Sequence, residues 1–145
     1  MARRILAAVD AEHPESWTEV VAALRALAPA AERLDVVYVL PEIGSALVGA
    51  ALPEGFEAGE IEAAVARLRA LVGRGPVAPL PAPIPHVAHG AVDEAILAAV
   101  ERLGSDLLAL RAPRHGVEAR LLGSHAEALA RATPCSVLLV RPPGG

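Results

Sequence analysis

The chain has 145 residues, 54% of them hydrophobic, with only three aromatics and a formal net charge of −4. The length suits one domain, residues 1–145, with a single core built from Ala, Val and Leu. The acidic balance and the lack of a basic cluster exclude a nucleic-acid surface, which needs positive charge to meet phosphate.

Ile5 to Val9 is a continuous apolar run ending at Asp10 and reads as a buried strand. Pro14 and Glu15 open a helix in which Trp17, Val20, Val21, Leu24 and Leu27 recur at helical spacing. Leu34 to Leu40 is a second strand, rich in β-branched residues and closed by Pro41. The stretch 42–58, with glycines at 44, 49 and 55, reads as irregular. Helical periodicity returns from Gly59 to Val72, through Ile61, Val65, Leu68 and Leu71. A Pro/Gly-rich loop follows, and Ile84 to Ala88 is a short third strand. Val92 to Leu103 is a third helix, with Ile96, Leu97 and Val100 on one face, and Leu107 to Leu110 a fourth strand. Gly123 and Ser124 are expected to open the last helix, Ser124 to Ala132, and Ser136 to Arg141 is the fifth strand.

Strands alternating with helices imply βαβ units, a parallel sheet and right-handed crossovers. Ligands of such sheets bind beyond the carboxyl ends of the strands, where the strand order reverses. Asp10, Val39, the loop after Leu110 and the Gly123-Ser124 pair belong at that end. The buried strand residues are expected to include Ile5, Leu6, Val36, Val37, Leu107, Leu108, Val137 and Leu139, with Trp17 packed on the sheet. Val137 to Val140 is apolar and reads as a sheet edge, which invites pairing with a second copy of the chain.

Candidate site residues follow from chemistry at these positions. Asp10 can accept a hydrogen bond from a ribose hydroxyl or a base amine, or can cap the helix that follows. Gly123 and Ser124 form either an anion seat at a helix N-terminus or a simple helix start. His115 and His125 flank that pair, where they can touch an anion or stand in solvent. His86 and His89 are three apart, which on a strand sends them to opposite faces, so no metal site is expected. All 13 basic residues are arginine, so there is neither a Schiff-base amine nor a Walker lysine. No Gly-x-Ser-x-Gly, His-Glu-x-x-His or Cys-x-x-Cys motif occurs, and no catalytic residue is assigned. The single Cys135 fits a reducing compartment. No apolar run has the length of a signal peptide core or a membrane span, so a cytoplasmic location without membrane contact is expected.

Five segments together resemble the universal stress protein family over nearly the whole chain. They are RRILAAVD (Arg3 to Asp10), LDVVYV (Leu34 to Val39), HGAVDEAILAAVERLGSDLLAL (His89 to Leu110), RLLGS (Arg120 to Ser124) and TPCSVLLVRP (Thr133 to Pro142). The resemblance implies a doubly wound α/β domain with a five-stranded parallel sheet in the order 3-2-1-4-5. It also implies a homodimer through the last strand. ATP-binding members carry Gly-x-x-Gly-x9-Gly-Ser/Thr, and counting back from Gly123 puts Pro113 and Leu110 where that pattern has glycines. Asp10 and Val39 then correspond to the adenosine contacts, and Gly123 and Ser124 to the phosphate contacts. Pro113 has no N–H to donate, and Leu110 is bulky where a phosphate-facing loop needs open backbone. Arg111 and Arg114 can compensate through charge-assisted hydrogen bonds. The expectation is a regulatory or binding module with impaired ATP binding that keeps an anion or mononucleotide site. The alternative is a true binder of ATP or another adenine nucleotide, with slow hydrolysis at most. A nucleotidyl-transfer enzyme would show a His-x-Gly-His run or a Ser-Gly-Gly loop after the first strand, and neither is present.

Overall fold

The computed structural model describes residues 3–40, 56–112 and 117–141, with the backbone alone for 56–57 and 117–124. Five strands and four helices alternate along the chain. They are β1 (Arg4–Ala8), α1 (Glu15–Leu27), β2 (Arg33–Leu40), α2 (Phe56–Val72), β3 (Ile84–His89), α3 (Val92–Leu103), β4 (Leu107–Arg111), α4 (Val117–Ala132) and β5 (Ser136–Val140). All neighbouring strands pair in parallel, in the order β3-β2-β1-β4-β5. The α/β architecture and the strand order are those that the resemblance implied.

Side-chain alternation divides the strand residues between two cores. Ile5, Ala7, Leu34, Val36, Tyr38 and Ala109 face α1 and α2, where they meet Trp17, Val20, Leu24, Leu68 and Leu71. Leu6, Val37, Leu108 and Leu110 face α3 and α4, against Ile96, Val100 and Leu129. Both faces of the sheet are covered, which is why β1, β2 and β4 read as continuous apolar runs. Trp17 is fully buried, and its indole N–H donates to the carbonyl of Arg74 at 3.3 Å. The polar end of this large ring thus keeps a partner inside the core.

The amino end of the sheet is tied by two carboxylates. The backbone N–H groups of Arg3 and Arg4 donate to the Asp106 carboxylate at 3.0–3.2 Å, and the Asp106 N–H donates to the Arg4 carbonyl at 2.9 Å. Asp35, near the start of β2, is fully buried. Its oxygens accept from Arg33 at 2.8 and 3.2 Å, and one lies 2.7 Å from His86 Nε2. Two partners for one buried carboxylate are what a group taken out of water requires. The hydrogen bond to Asp35, with the charge of that carboxylate, pushes the Arg33 guanidinium above its ordinary value.

Three expectations need correction. The last helix begins at Val117 and not at Ser124. Gly123 and Ser124 therefore lie in the body of α4, where the helical run outweighs the roughly 1 kcal/mol cost of an interior glycine. Leu139 is 39% exposed and not buried, because β5 is an edge strand with α4 covering only part of its face. Val137 and Leu107 are half-buried. No helix among the described residues is long and apolar enough to cross a membrane.

Gly104 ends α3 in the left-handed conformation, with φ of 63°. Its N–H donates to the Glu101 carbonyl, and the Ser105 N–H donates to the Val100 carbonyl. This paired closure needs a residue without a Cβ penalty at positive φ. Gly104→Ala is expected to cost about 1 kcal/mol in urea unfolding. Leu108→Ala, in the buried centre of β4, should cost about 2–5 kcal/mol. Leu139→Ala should cost much less than Leu108→Ala in the monomer, and an equal cost would contradict the exposed position of Leu139.

Candidate functional site at the carboxyl ends of β1 and β4

The strand order reverses at β1, and a cavity of about 560 Å³ opens there, between the carboxyl ends of β1 and β4. Its apolar wall comes from the strand ends (Val9, Val37, Val39, Leu110) and from Ile96 and Leu129 on α3 and α4. Asp10, Glu12 and Glu15 supply carboxylates, and His13, Arg111 and His125 supply basic groups.

The segment after β1 is closed by one hydroxyl. Ser16 Oγ accepts from the Asp10 N–H at 3.0 Å and donates to the Asp10 carbonyl at 2.9 Å. Ser16 is buried, so this reciprocal pair fixes the turn that presents the Asp10 side chain. The Asp10 carboxylate accepts from the Glu12 N–H at 2.9 Å and meets His13 Nδ1 at 2.8 Å. Both local bonds leave acceptor capacity on a side chain that is 47% exposed. Asp10 thus shapes its own turn and still presents an acceptor at the cavity wall.

Arg111 does not stand ready for an anion. Alternation along β4 sends it to the α1 face, with Leu107 and Ala109. There its Nε donates to Glu19 at 2.7 Å, its Nη2 lies 3.5 Å from the same carboxylate, and its Nη1 is 3.9 Å from Glu15. Glu15 and Glu19 sit one helical turn apart on α1, so both carboxylates face the same side and reach Arg111 on β4. His125 reaches the cavity from the opposite face, and its Nδ1 lies 2.6 Å from Asp93 Oδ1 at the start of α3. Every basic side chain that lines the cavity among the described residues therefore has a carboxylate partner.

Of the residues expected at the site, Asp10, Val39, Arg111 and His125 come together around the cavity. Arg114 and Pro113 lie outside the described residues. Gly123 and Ser124 are helical, so their backbone N–H groups are not the free donors of a helix start. Leu110 belongs to β4 and not to the loop, and its buried side chain packs in the α3/α4 core as well as lining the cavity.

Sequence reasoning passed over Tyr38, which lines the cavity from β2. Burial pushes its phenol above the ordinary value, and the charges of Asp10 and Glu12 push the same way, while Arg67 acts against them. The fold therefore favours the neutral phenol. Its contribution to stability is complete below the unfolded value of about 10 and is lost as the pH rises through the folded value. Tyr38 is the only tyrosine. Its ultraviolet titration should have a midpoint above about 10 in native protein and fall back to about 10 in urea. A native midpoint at or below the unfolded one would contradict the burial of this ring beside two carboxylates.

A family-model comparison matches the universal stress protein family over residues 1–141. A search of curated proteins returned no match. Among solved structures, a universal stress protein in complex with cAMP is 22% identical, with a TM-score of 0.62, and the alignment covers 96% of this chain and 97% of that one. The universal stress protein UspA from Lactobacillus plantarum is 19% identical, with a TM-score of 0.63 and coverage of 96% and 97%. A universal stress protein family protein from Arabidopsis thaliana with AMP bound is 15% identical, with a TM-score of 0.53 and coverage of 98% and 93%. These likenesses establish the shared fold. With its model matched over nearly the full length, this chain belongs to the universal stress protein family.

Proposed function

We propose that the cavity between β1 and β4 is an adenine-nucleoside and mononucleotide site in a regulatory binding module that holds ATP poorly. The carrying observation is the charge arrangement. Among the described residues, each basic group at the cavity is paired, and Asp10, Glu12 and Glu15 face the same space. A polyphosphate of several negative charges finds repulsion there, whereas a nucleoside finds an apolar wall and an acceptor in Asp10. The cAMP and AMP held by the two relatives agree with such a ligand. Asp10 and Val39 are assigned to the nucleoside part and His125 to the phosphate side. Gly123 and Ser124 are not carried forward, because the body of a helix offers no free N–H groups.

Isothermal titration calorimetry with adenosine, AMP, cAMP and ATP tests this reading. AMP should bind about tenfold or more tightly than ATP, since each misplaced charge costs at least a kcal/mol in a partly dry site. Micromolar ATP binding equal to that of AMP would overturn the proposed impairment and favour a true ATP binder. Pro113→Gly, which restores a backbone donor, should strengthen ATP binding. Leu110 is kept in that test because it belongs to the core.

We also propose a two-fold dimer through β5. The edge strand β3 contains Pro85, which has no N–H and blunts pairing, whereas β5 is proline-free and exposes Leu139. Sedimentation at micromolar concentration should show a dimer, and Leu139→Arg should convert it to a folded monomer. A wild-type monomer under those conditions would remove the proposal.

A further inference from the structure

We infer that Asp93 and His125 form a specificity pair in which His125 contacts a single ligand phosphate and Asp93 positions it. The inference rests on the mononucleotide reading above and adds the residues that would read the phosphate. Their order in space is the main argument. His125 lines the cavity and Asp93 does not, so the carboxylate stands behind the ring and the ring stands in front of the ligand. The 2.6 Å bond commits Nδ1 to Asp93. Among the described residues, Nε2 has no protein partner. The imidazole is therefore held by one nitrogen and presents the other.

The remaining cavity groups make a phosphate the fitting partner. Arg111 is 13% exposed and is held between Glu19 and Glu15, and His13 is held by Asp10. Both lie on the side that carries the cavity's three carboxylates. His125 comes from α4, on the other face of the sheet, and its side chain is 38% exposed. An imidazolium between a carboxylate and a phosphate donates from both nitrogens, one to each anion. One contact from one ring thus favours a ligand with a phosphate over one without. Holding a ligand-contacting histidine by a carboxylate on its other nitrogen is also the general way to fix ring orientation.

The test compares adenosine, AMP and ATP by calorimetry on the wild type, His125→Ala and Asp93→Asn. Wild type should bind AMP about tenfold more tightly than adenosine, as one charge-assisted hydrogen bond allows. His125→Ala should bring AMP down to the affinity of adenosine and leave adenosine within about twofold. Asp93→Asn should lose part of the AMP preference. A positioning role is read separately by long-range 1H–15N spectra. AMP should shift the His125 Nε2 resonance in the wild type, and Asp93→Asn should alter the His125 nitrogen pattern before any ligand is added. Unchanged AMP affinity in His125→Ala would overturn the inference, as would an equal loss for adenosine and AMP. Adenosine binding with no gain from the phosphate would overturn the inference alone. Failure of both adenosine and AMP to bind the wild type would overturn the site itself and the inference with it.

Discussion

The turn of the strand order at β1 is the constraint on which the rest of the site depends. The chain leaves β1 through α1 and α2 to β2 and β3, with both helices on one face. It then crosses by α3 to β4, on the other side of β1, with α3 and α4 on the opposite face. Right-handed crossovers fix which face each pair of helices must cover. Helices that run to different sides leave the carboxyl ends of β1 and β4 uncovered between them. The cavity is the space that this topology leaves open, walled by strand ends and by residues of α3 and α4.

The two faces bring different electrostatics to that space. On the α1 side, Arg111 meets Glu19 and Glu15, and His13 meets Asp10, so each basic group is paired where it arises. On the α3/α4 side, His125 meets Asp93, and among the described residues its second nitrogen has no other partner. Partly buried charges are strongly felt because water screens them weakly. The result is a pocket with an apolar wall, an acidic flank and one imidazole facing in from the opposite side.

The opposite end of the sheet is built for holding and not for binding. Asp106 joins the starts of β1 and β4 through backbone N–H groups, and Asp35 joins β2 to β3 through His86. A buried carboxylate with two partners resists any slip in strand register, because a slip would leave a charge unpaired. Fixing the register at the amino end leaves the carboxyl end free to carry less regular chemistry. The same division appears at the sheet edges, where β3 carries a proline and β5 carries an exposed leucine.

Much of the fold was legible in the sequence because its signals are local. Apolar runs such as Ile5 to Val9 and periodic stretches such as Val92 to Leu103 declare their own secondary structure, and their alternation dictates a parallel sheet. The position of Asp10 after the first strand also placed it at the carboxyl end of the sheet, where the cavity opens. The boundary of α4 was not legible, since Gly123-Ser124 is as good a start signal as any inside a longer helical run. Nor was the exposure of Leu139, because an apolar residue in a strand says nothing about whether a neighbour covers it. The fate of Arg111 depended on Glu19, 92 residues away in sequence, which only packing brings to 2.7 Å. The pairing of His125 with Asp93 was likewise set by the contact of two helices that are separate in the chain. Sequence by itself determined most of the elements and put Asp10 at the carboxyl end of the sheet, where the cavity opens. Tertiary structure decided which charges there are already spent, because pairing depends on distance in space and not on spacing along the chain.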